Sequence, residues 1–348
     1  MSKATEVRTA RSSSIWRKRL PGILVSLAIA VPAILMGTWA PVVGAPVIAI
    51  LLGTVARLIM GDRPVLSAGT SFVSKRVLQF AVVLYGLRLS LADIGDIGIK
   101  SVPIMLATML ACFVVAAILA YALRLDKVTS ALITVGTAIC GASAIAAAST
   151  VLKPKGHVVT YAMSTIFLFN VIGVLLFPAL GHWLSYSQFE FGVFSGTAVN
   201  DTSSVVAAAS IYGPESLDVA IVTKMARTLM IVPIVIALSL VFRGEREPEK
   251  EERSGTRPSF VRRIVSLVPT FIVAFVVLVV VNSVLSMPVF VSSWATSISA
   301  WGITWALAAI GLMTDVGQMR RAGVRPLAMG AVLWGTVTVV SIVLIRLL

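Results

Sequence analysis

Two stretches of the chain, GTAICGASAIAAAS at Gly136–Ser149 and GTAVNDTSSVVAAA at Gly196–Ala209, repeat one another at an offset of sixty residues. Each is rich in glycine, small residues and hydroxyl side chains inside an apolar segment, a composition that disfavours an uninterrupted helix. We expect interrupted segments at 128–151 and 190–211. Paired interrupted segments of this kind are the best sequence indication of a binding site in a secondary transporter.

The overall composition predicts an all-α polytopic membrane protein. Hydrophobic residues make up 58% of the 348 residues and charged residues 13%, and the mean hydropathy is +0.98. A soluble globule of this length needs more polar surface. The net charge of +14 does not indicate a nucleic-acid partner, because the basic residues lie in short clusters between apolar runs and match no nucleic-acid-binding motif. The expected environment is the lipid bilayer.

The apolar runs predict about nine full transmembrane helices, since a spanning helix needs about 20 apolar residues. The expected domains are a cytoplasmic tail at 1–19, a membrane region at 20–242, a cytoplasmic loop at 243–261 and C-terminal helices at 262–348. The nine spans are predicted at 20–38, 41–60, 72–91, 99–123, 158–180, 217–242, 262–285, 293–313 and 326–346.

The basic residues predict that the N-terminus is cytoplasmic. With that orientation, 22 of the 29 lysines and arginines lie on the cytoplasmic side, as the positive-inside rule requires. Lys153 and Lys155 lie outside if the first interrupted segment crosses fully, and inside if it is re-entrant. Re-entrance makes the two segments enter from opposite faces, as in an inverted pair. We favour re-entrance on these two lysines and on symmetry, and a full but broken crossing stays open.

The interruptions predict a site for a small anion. A broken helix leaves backbone groups without partners, so it persists in a membrane only when buried in protein or lining a watery cavity. Half-helix N-termini present N–H donors and a partial positive charge, which suit an anion. Close packing of helices through small residues is the alternative. The expected substrate-binding residues in the two segments are Thr137, Cys140, Gly141, Ser143, Asn200, Thr202, Ser203 and Ser204.

Charged residues within the spans extend this prediction. Asp201 is expected to bind the coupling proton or cation, because an ionisable group in a span is costly and functional by default. Lys224 and Arg227 are three residues apart and share a helix face. They could neutralise Asp201, bind an anionic substrate or snorkel. Snorkelling is credible for Lys224, near the helix start, whereas Arg227 is expected to bind an oxyanion. Asn170 either bonds across helices or reaches the site.

No metal, cofactor or enzymatic activity is predicted. Cys112 and Cys140 lie in apolar stretches without a CxxC spacing, and the chain has only two histidines. A membrane enzyme would need a nucleophile with its base, or a metal cluster.

Several long motifs resemble the YeiH-like UPF0324 membrane proteins, which are described as sulfate exporters. They are GTAICGASAIAAA, STIFLFN, QFEFGVFSGTAVNDTSSVVAAASIYGPESLDVAIVTKMARTLMIVP and GLMTDVGQMRRAGVRP, and the resemblance runs from about residue 40 to the end. It implies a bacterial inner-membrane carrier for a small sulfur oxyanion. The wider superfamily of bile-acid symporters and sodium/proton antiporters implies inverted repeats and elevator-like motion. Histidine is common in this family where Asn200 stands, which puts more of any proton coupling on Asp201.

The expected function is export of sulfate or sulfite by alternating access, coupled to protons or a cation. A charged Asp201 repels the anion and a neutral one permits binding, so the two affinities are linked. One alternative is a sodium/proton antiporter that uses Asp201 and moves no anion. Another is a non-transporting membrane partner subunit. A homodimer is expected by analogy with other elevator carriers.

Overall fold

Every regular element in the described part of the chain is a helix. The structure is a computed structural model that describes residues 2–39, 44–61, 63–242, 269–285, 287–313 and 324–347. The predicted cytoplasmic loop at 243–261 and the first residues of the predicted span at 262–285 lie outside the described residues.

Six helices are long and apolar enough to cross a membrane, by length and composition. Together with the apolar composition, these helices make the chain a multi-pass membrane protein. Further helices occupy the remaining predicted positions but are shorter. The six candidates are Trp16–Thr38, Leu91–Ala122, Val158–Trp183, Pro214–Val241, Val289–Met313 and Val324–Arg346.

Several predicted boundaries differ from the observed helices, and two of the differences have a local reason. The span predicted at 72–91 corresponds to helices over 64–85, because Pro64 begins a helix at its first position, where no N–H is needed. The span predicted at 99–123 begins at Leu91. Its first turns carry Asp93, Asp96 and Lys100. Because these residues are charged, a count of apolar residues places the helix start too far toward the C-terminus.

The chain divides into two units, and the first comprises Met1–Leu91 with Ala274–Asp315. Close backbone contact holds it together: a Cβ built on Gly53 would lie only 3.0 Å from the Cα of Gly311. Helices in a membrane associate without a hydrophobic driving force, and close packing through glycine stabilises their contact instead. The helices of this unit are α1 (Ser2–Trp39), α2 (Gly44–Met60), α3 (Pro64–Phe72), a π-helical turn (Val73–Val77), α4 (Leu78–Tyr85), α13 (Thr270–Leu285, most of it) and α14 (Val289–Met313).

The second unit comprises Ala92–Val273 with Val316–Leu348 and contains both interrupted segments. Its helices are α5 (Leu91–Ala122), α6 (Lys127–Ala138), α7 (Ala142–Leu152), α8 (Gly156–Trp183), α9 (Gln188–Ala198), α10 (Thr202–Tyr212), α11 (Pro214–Leu229), α12 (Ile231–Val241) and α15 (Val324–Arg346).

Glycine and aromatic contacts position the helices around the interrupted segments. Helix α9 approaches α11 closely, since a Cβ built on Gly196 would lie 2.8 Å from the Cβ of Thr223. Helix α15 packs on α8 through Trp334, whose ring stacks with Phe169 at 5.4 Å and Phe177 at 5.2 Å. Every predicted site residue, from Thr137 to Arg227, lies within the second unit.

Candidate functional site

The interruption that the small-residue pattern predicts is present in both repeated segments. Helix α6 ends at Ala138 and α7 begins at Ala142, while α9 ends at Ala198 and α10 begins at Thr202. In the first break Gly141 has φ +64° and ψ −127°, a backbone conformation that residues with a side chain rarely adopt. In the second, the Asp201 carboxylate accepts from the N–H of Ser203 at 3.0 Å and from the Ser203 hydroxyl.

The two breaks lie against each other. A Cβ built on Gly141 would be 3.5 Å from the Cβ of Asp201 and 3.3 Å from the side chain of Ile166. From α8, the amide oxygen of Asn170 accepts the N–H of Asn200 at 3.1 Å and of Asp201 at 3.2 Å. Asn170 thus bonds from α8 to the main chain of the second break, and its role in substrate binding stays a prediction.

Lys224 does not snorkel, and that expectation is wrong. Its side chain is fully buried. The ammonium donates to the carbonyl of Ile139 at 2.9 Å and to that of Val199 at 2.8 Å. The position of Lys224 near a helix start therefore does not determine the environment of its side chain. Two internal carbonyls hold the ammonium inside the second unit.

Arg227, one turn further on, binds the same two breaks. Its fully buried guanidinium donates from Nε to the carbonyl of Ala138 at 2.7 Å and from Nη2 to that of Thr137 at 2.8 Å. Nη1 donates to the carbonyl of Thr197. Three of the five N–H groups of the guanidinium are thus engaged. An anion would meet at most two free N–H groups, together with the positive charge.

The hydrogen bonds of these two cations follow the repeat of the sequence. Ile139 and Val199, which share Lys224, occupy equivalent positions at the offset of sixty residues, and so do Thr137 and Thr197, which share Arg227. One side chain therefore serves the same main-chain position in both segments. This equivalence was not predicted, although the repeat itself was.

The bonds also complete the C-terminal end of α6, where the last carbonyls of any helix lack intrahelical donors. The carbonyl of Val135 accepts from the N–H of Ile139 at 3.1 Å, and that of Gly136 from the N–H of Gly141 at 2.9 Å. Arg227 and Lys224 supply the donors for the next three carbonyls. The negative end of this half-helix dipole is thus satisfied by buried cations.

The predicted small polar residues divide into engaged and accessible ones. Thr137 is buried and its hydroxyl donates to the carbonyl of Ile133 at 2.9 Å, inside its own helix. Cys140 is a buried free thiol, and Gly141 and Ser204 are also buried. The accessible groups are Ser143, which is exposed, and Asp201, Thr202 and Ser203, which are partly exposed.

Two buried polar side chains at the site have no hydrogen-bond partner among the described residues. They are Asn200, of which both the amide oxygen and the amide nitrogen are unpartnered, and Thr223, whose hydroxyl is unpartnered. An unsatisfied buried polar group costs about 1–3 kcal/mol. Thr223 was missed at the sequence level. The only sequence feature that could have indicated Thr223 is a hydroxyl side chain next to Lys224, in a charged stretch of an apolar helix.

The charges of the site leave an excess of about one positive charge. Lys224 and Arg227 contribute two positive charges and the Asp201 carboxylate one negative charge. Each half-helix end adds about half a charge, negative at the ends of α6 and α9 and positive at the starts of α7 and α10. The four half-charges cancel, so the arrangement is suited to an anion.

Comparison with known proteins gives the family of the chain. A family described as "Conserved hypothetical protein 698" matches residues 21–330. Over 336 residues the chain is 42% identical to a UPF0324 membrane protein of Streptococcus pyogenes serotype M18, covering 93% of this chain and 96% of that protein. The chain belongs to the UPF0324 membrane protein family.

Other UPF0324 members show the same full-length similarity. The protein of Fusobacterium nucleatum is 37% identical over 341 residues, covering 95% of this chain and 98% of its own. That of Streptococcus agalactiae serotype V is 35% identical over 335 residues, covering 94% and 97%. The names of these relatives state a membrane location and no activity, so the function of this UPF0324 protein must be argued from its site.

Proposed function

We propose that this UPF0324 protein is a secondary carrier that exports a small inorganic sulfur oxyanion, sulfate or sulfite, by alternating access. Transport is coupled to protons or a cation through Asp201. The observation that carries the proposal is the meeting of two helix breaks around two fully buried cations. Buried charges in a membrane protein are costly and mark substrate or ion pathways.

The proposed anion position is the N-terminal ends of α7 and α10. The first N–H groups of a helix have no intrahelical acceptor, and the helix dipole favours negative charge there. Hydroxyls of Ser143, Thr202 and Ser203 add donors. The positive charges of Arg227 and Lys224, whose side chains bind carbonyls at the breaks, also attract the anion. Asn200 offers a buried amide that has no hydrogen-bond partner in the part of the chain that the structure describes.

Asp201 links proton and anion binding by competition for the same donors. Its carboxylate accepts from the N–H and the hydroxyl of Ser203, which are donors that an oxyanion at the start of α10 would use. A charged Asp201 therefore repels the anion and occupies its donors. Protonation weakens both effects, so that proton and anion affinities rise together, as linkage requires.

The proposed topology has nine full spans and two interrupted segments, as an inverted repeat of the bile-acid symporter or sodium/proton antiporter type. The three shorter positions, α2, α3 with α4, and α13, are counted as spans. Re-entrance of the first segment is supported by contact between its halves. The side chain of Ile145 would be 3.0 Å from a Cβ on Gly136. Nine residues along a straight helix span about 13.5 Å, so α7 turns back at the break.

The proposed location is the bacterial inner membrane with a cytoplasmic N-terminus, because that orientation satisfies the positive-inside rule. For the transport step we propose an elevator-like motion in which the second unit, with all the site residues, is the moving body. A homodimer anchored through the other unit completes the proposal by analogy.

Flux in proteoliposomes tests this function. Wild type is challenged in turn with sulfite, sulfate, chloride and sodium while internal pH and membrane potential are followed. We expect a flux with a sulfur oxyanion that Asp201→Asn loses or uncouples. Glu215→Gln, which alters an exposed carboxylate at the start of α11, is the matched control and should transport normally. Sodium-driven proton flux without any anion response would instead identify a cation antiporter.

A further inference from the structure

We propose that Lys224 is a tethered cation that occupies the position of a coupling sodium ion, so that this protein works without sodium. The transport part of this inference rests on the proposed function, because it names the coupling ion of the same site. Its structural part does not, since it concerns only what fills the gap between the two helix breaks.

The ammonium of Lys224 lies between the C-terminal ends of two half-helices. Its two acceptors are the carbonyls of Ile139 and Val199, at 2.9 Å and 2.8 Å. These residues are the C-terminal caps of α6 and α9. In carriers with discontinuous helices, unwound carbonyls and half-helix C-terminal ends are the groups that coordinate sodium ions or protons. Lys224 presents its charge at that place in the fold.

An ammonium group can replace a monovalent metal ion at this position. An ammonium carries one positive charge on a compact, strongly hydrated group, and it donates three N–H groups. The two carbonyls lie at the negative ends of two helix dipoles. Lys224 therefore neutralises these ends as a monovalent metal ion would. Because the group is covalently attached, its occupancy does not depend on sodium in the surrounding solution.

Neighbouring carbonyls of both segments also accept hydrogen bonds from a buried cation. Arg227 donates to Thr137 and Ala138 in the first segment and to Thr197 in the second. Both segments thus receive fixed positive charge from a single helix, α11. Asp201 is the acidic side chain at the breaks, and we assign the coupling proton to it.

The first test compares the thermal unfolding of purified wild type in sodium chloride and in choline chloride at equal ionic strength. A sodium site filled a hundredfold above its dissociation constant would raise the melting temperature of a 348-residue chain by about 4 °C. We expect a difference of less than about 1 °C. A rise of several degrees that is specific to sodium would overturn the proposal. This measurement needs no variant and no transport substrate.

The second test removes the tethered charge. We expect Lys224→Ala to melt several degrees lower than wild type in choline chloride. Added ammonium or methylammonium, or sodium at higher concentration, should restore part of the loss by entering between the two carbonyls. The control is Lys155→Ala, which removes an exposed lysine and should neither lower the melting temperature nor respond to these cations. Equal responses of the two variants would contradict a cation site at Lys224.

Flux measurements separate this inference from the proposed function. If an anion flux in wild type proceeds equally in sodium and in choline, both stand. If the anion flux requires a sodium gradient, the proposed function stands and the tethered cation is wrong. If no anion moves but Lys224→Ala is restored by ammonium, the tethered cation stands and the substrate class is wrong.

Discussion

Replacing Arg227 by methionine tests whether the guanidinium holds the two helix breaks together. Methionine keeps much of the volume and removes all donors. Three carbonyls, those of Thr137, Ala138 and Thr197, then lose their partner in a buried site. Interhelical hydrogen bonds in membrane proteins contribute about 0.6–1.7 kcal/mol each, and bonds from charged donors lie toward the upper end. We therefore expect a loss of roughly 2–5 kcal/mol in the free energy of unfolding.

The assay is reversible unfolding by denaturant in detergent micelles, followed by tryptophan fluorescence. Arg346→Met is the matched control. Arg346 is exposed, and its guanidinium donates to one carbonyl, that of Leu184, so its replacement should cost less than about 1 kcal/mol. If Arg227→Met and Arg346→Met destabilise equally, or if Arg227→Met costs less than about 1 kcal/mol, the reasoning that places Arg227 as the donor for both half-helix ends is refuted.

Three further substitutions probe the surroundings of the breaks. Asn200→Leu removes two unpartnered amide atoms from a fully buried position. Thermal unfolding should show stability unchanged or raised by about 1 kcal/mol, while sulfate binding is lost; a less stable protein that still binds would contradict a ligand role. Gly196→Ala forces a methyl to within 2.8 Å of Thr223 and should cost about 1–3 kcal/mol. Gly335→Ala, with nothing within 4 Å, should not, and equal melting of the two would argue against tight α9–α11 packing. Asn170→Ala removes the acceptor for two N–H groups of the second break. Stability should fall by about 1–2 kcal/mol, together with anion flux, and normal flux would remove Asn170 from the site.

The interruptions could be predicted from sequence because their cause is local. Glycine, small residues and hydroxyls are present at the breaks themselves, and the repeat at sixty residues pairs one break with the other. Asn170 and Asp201 were also recognisable, since an amide or a carboxylate in an apolar run needs an explanation within the protein.

The cation contacts could not be predicted, because their partners are distant in sequence. Lys224 donates to carbonyls 85 and 25 residues away. Nothing in the composition of α11 says which main-chain oxygens lie beside it. The position of Lys224 near the start of its helix suggested snorkelling, yet packing of α11 between the two breaks decides its surroundings. Arg227 was singled out for its charge within a span, but the carbonyls that engage it are a property of the assembled fold.

The predicted helix boundaries were wrong where a local sequence feature differed from what the count of apolar residues indicated. Pro64 begins its helix ahead of the apolar run, and Asp93 and Asp96 lie in the first turns of α5. A window that counts apolar residues places both helix starts too far toward the C-terminus. The preference of proline for the first helical position corrects the start at Pro64.

The most direct test of the account is to count the protons taken up when sulfate binds to the purified protein. Sulfate exchanges no protons near neutral pH, so any uptake in a weakly buffered titration belongs to the protein. If sulfate is the substrate, we predict that its binding is accompanied by uptake of about one proton in wild type and none in Asp201→Asn, because competition at the start of α10 links the two ligands. Equal proton uptake by the two proteins would contradict this linkage, and absence of sulfate binding would rule out sulfate as the substrate.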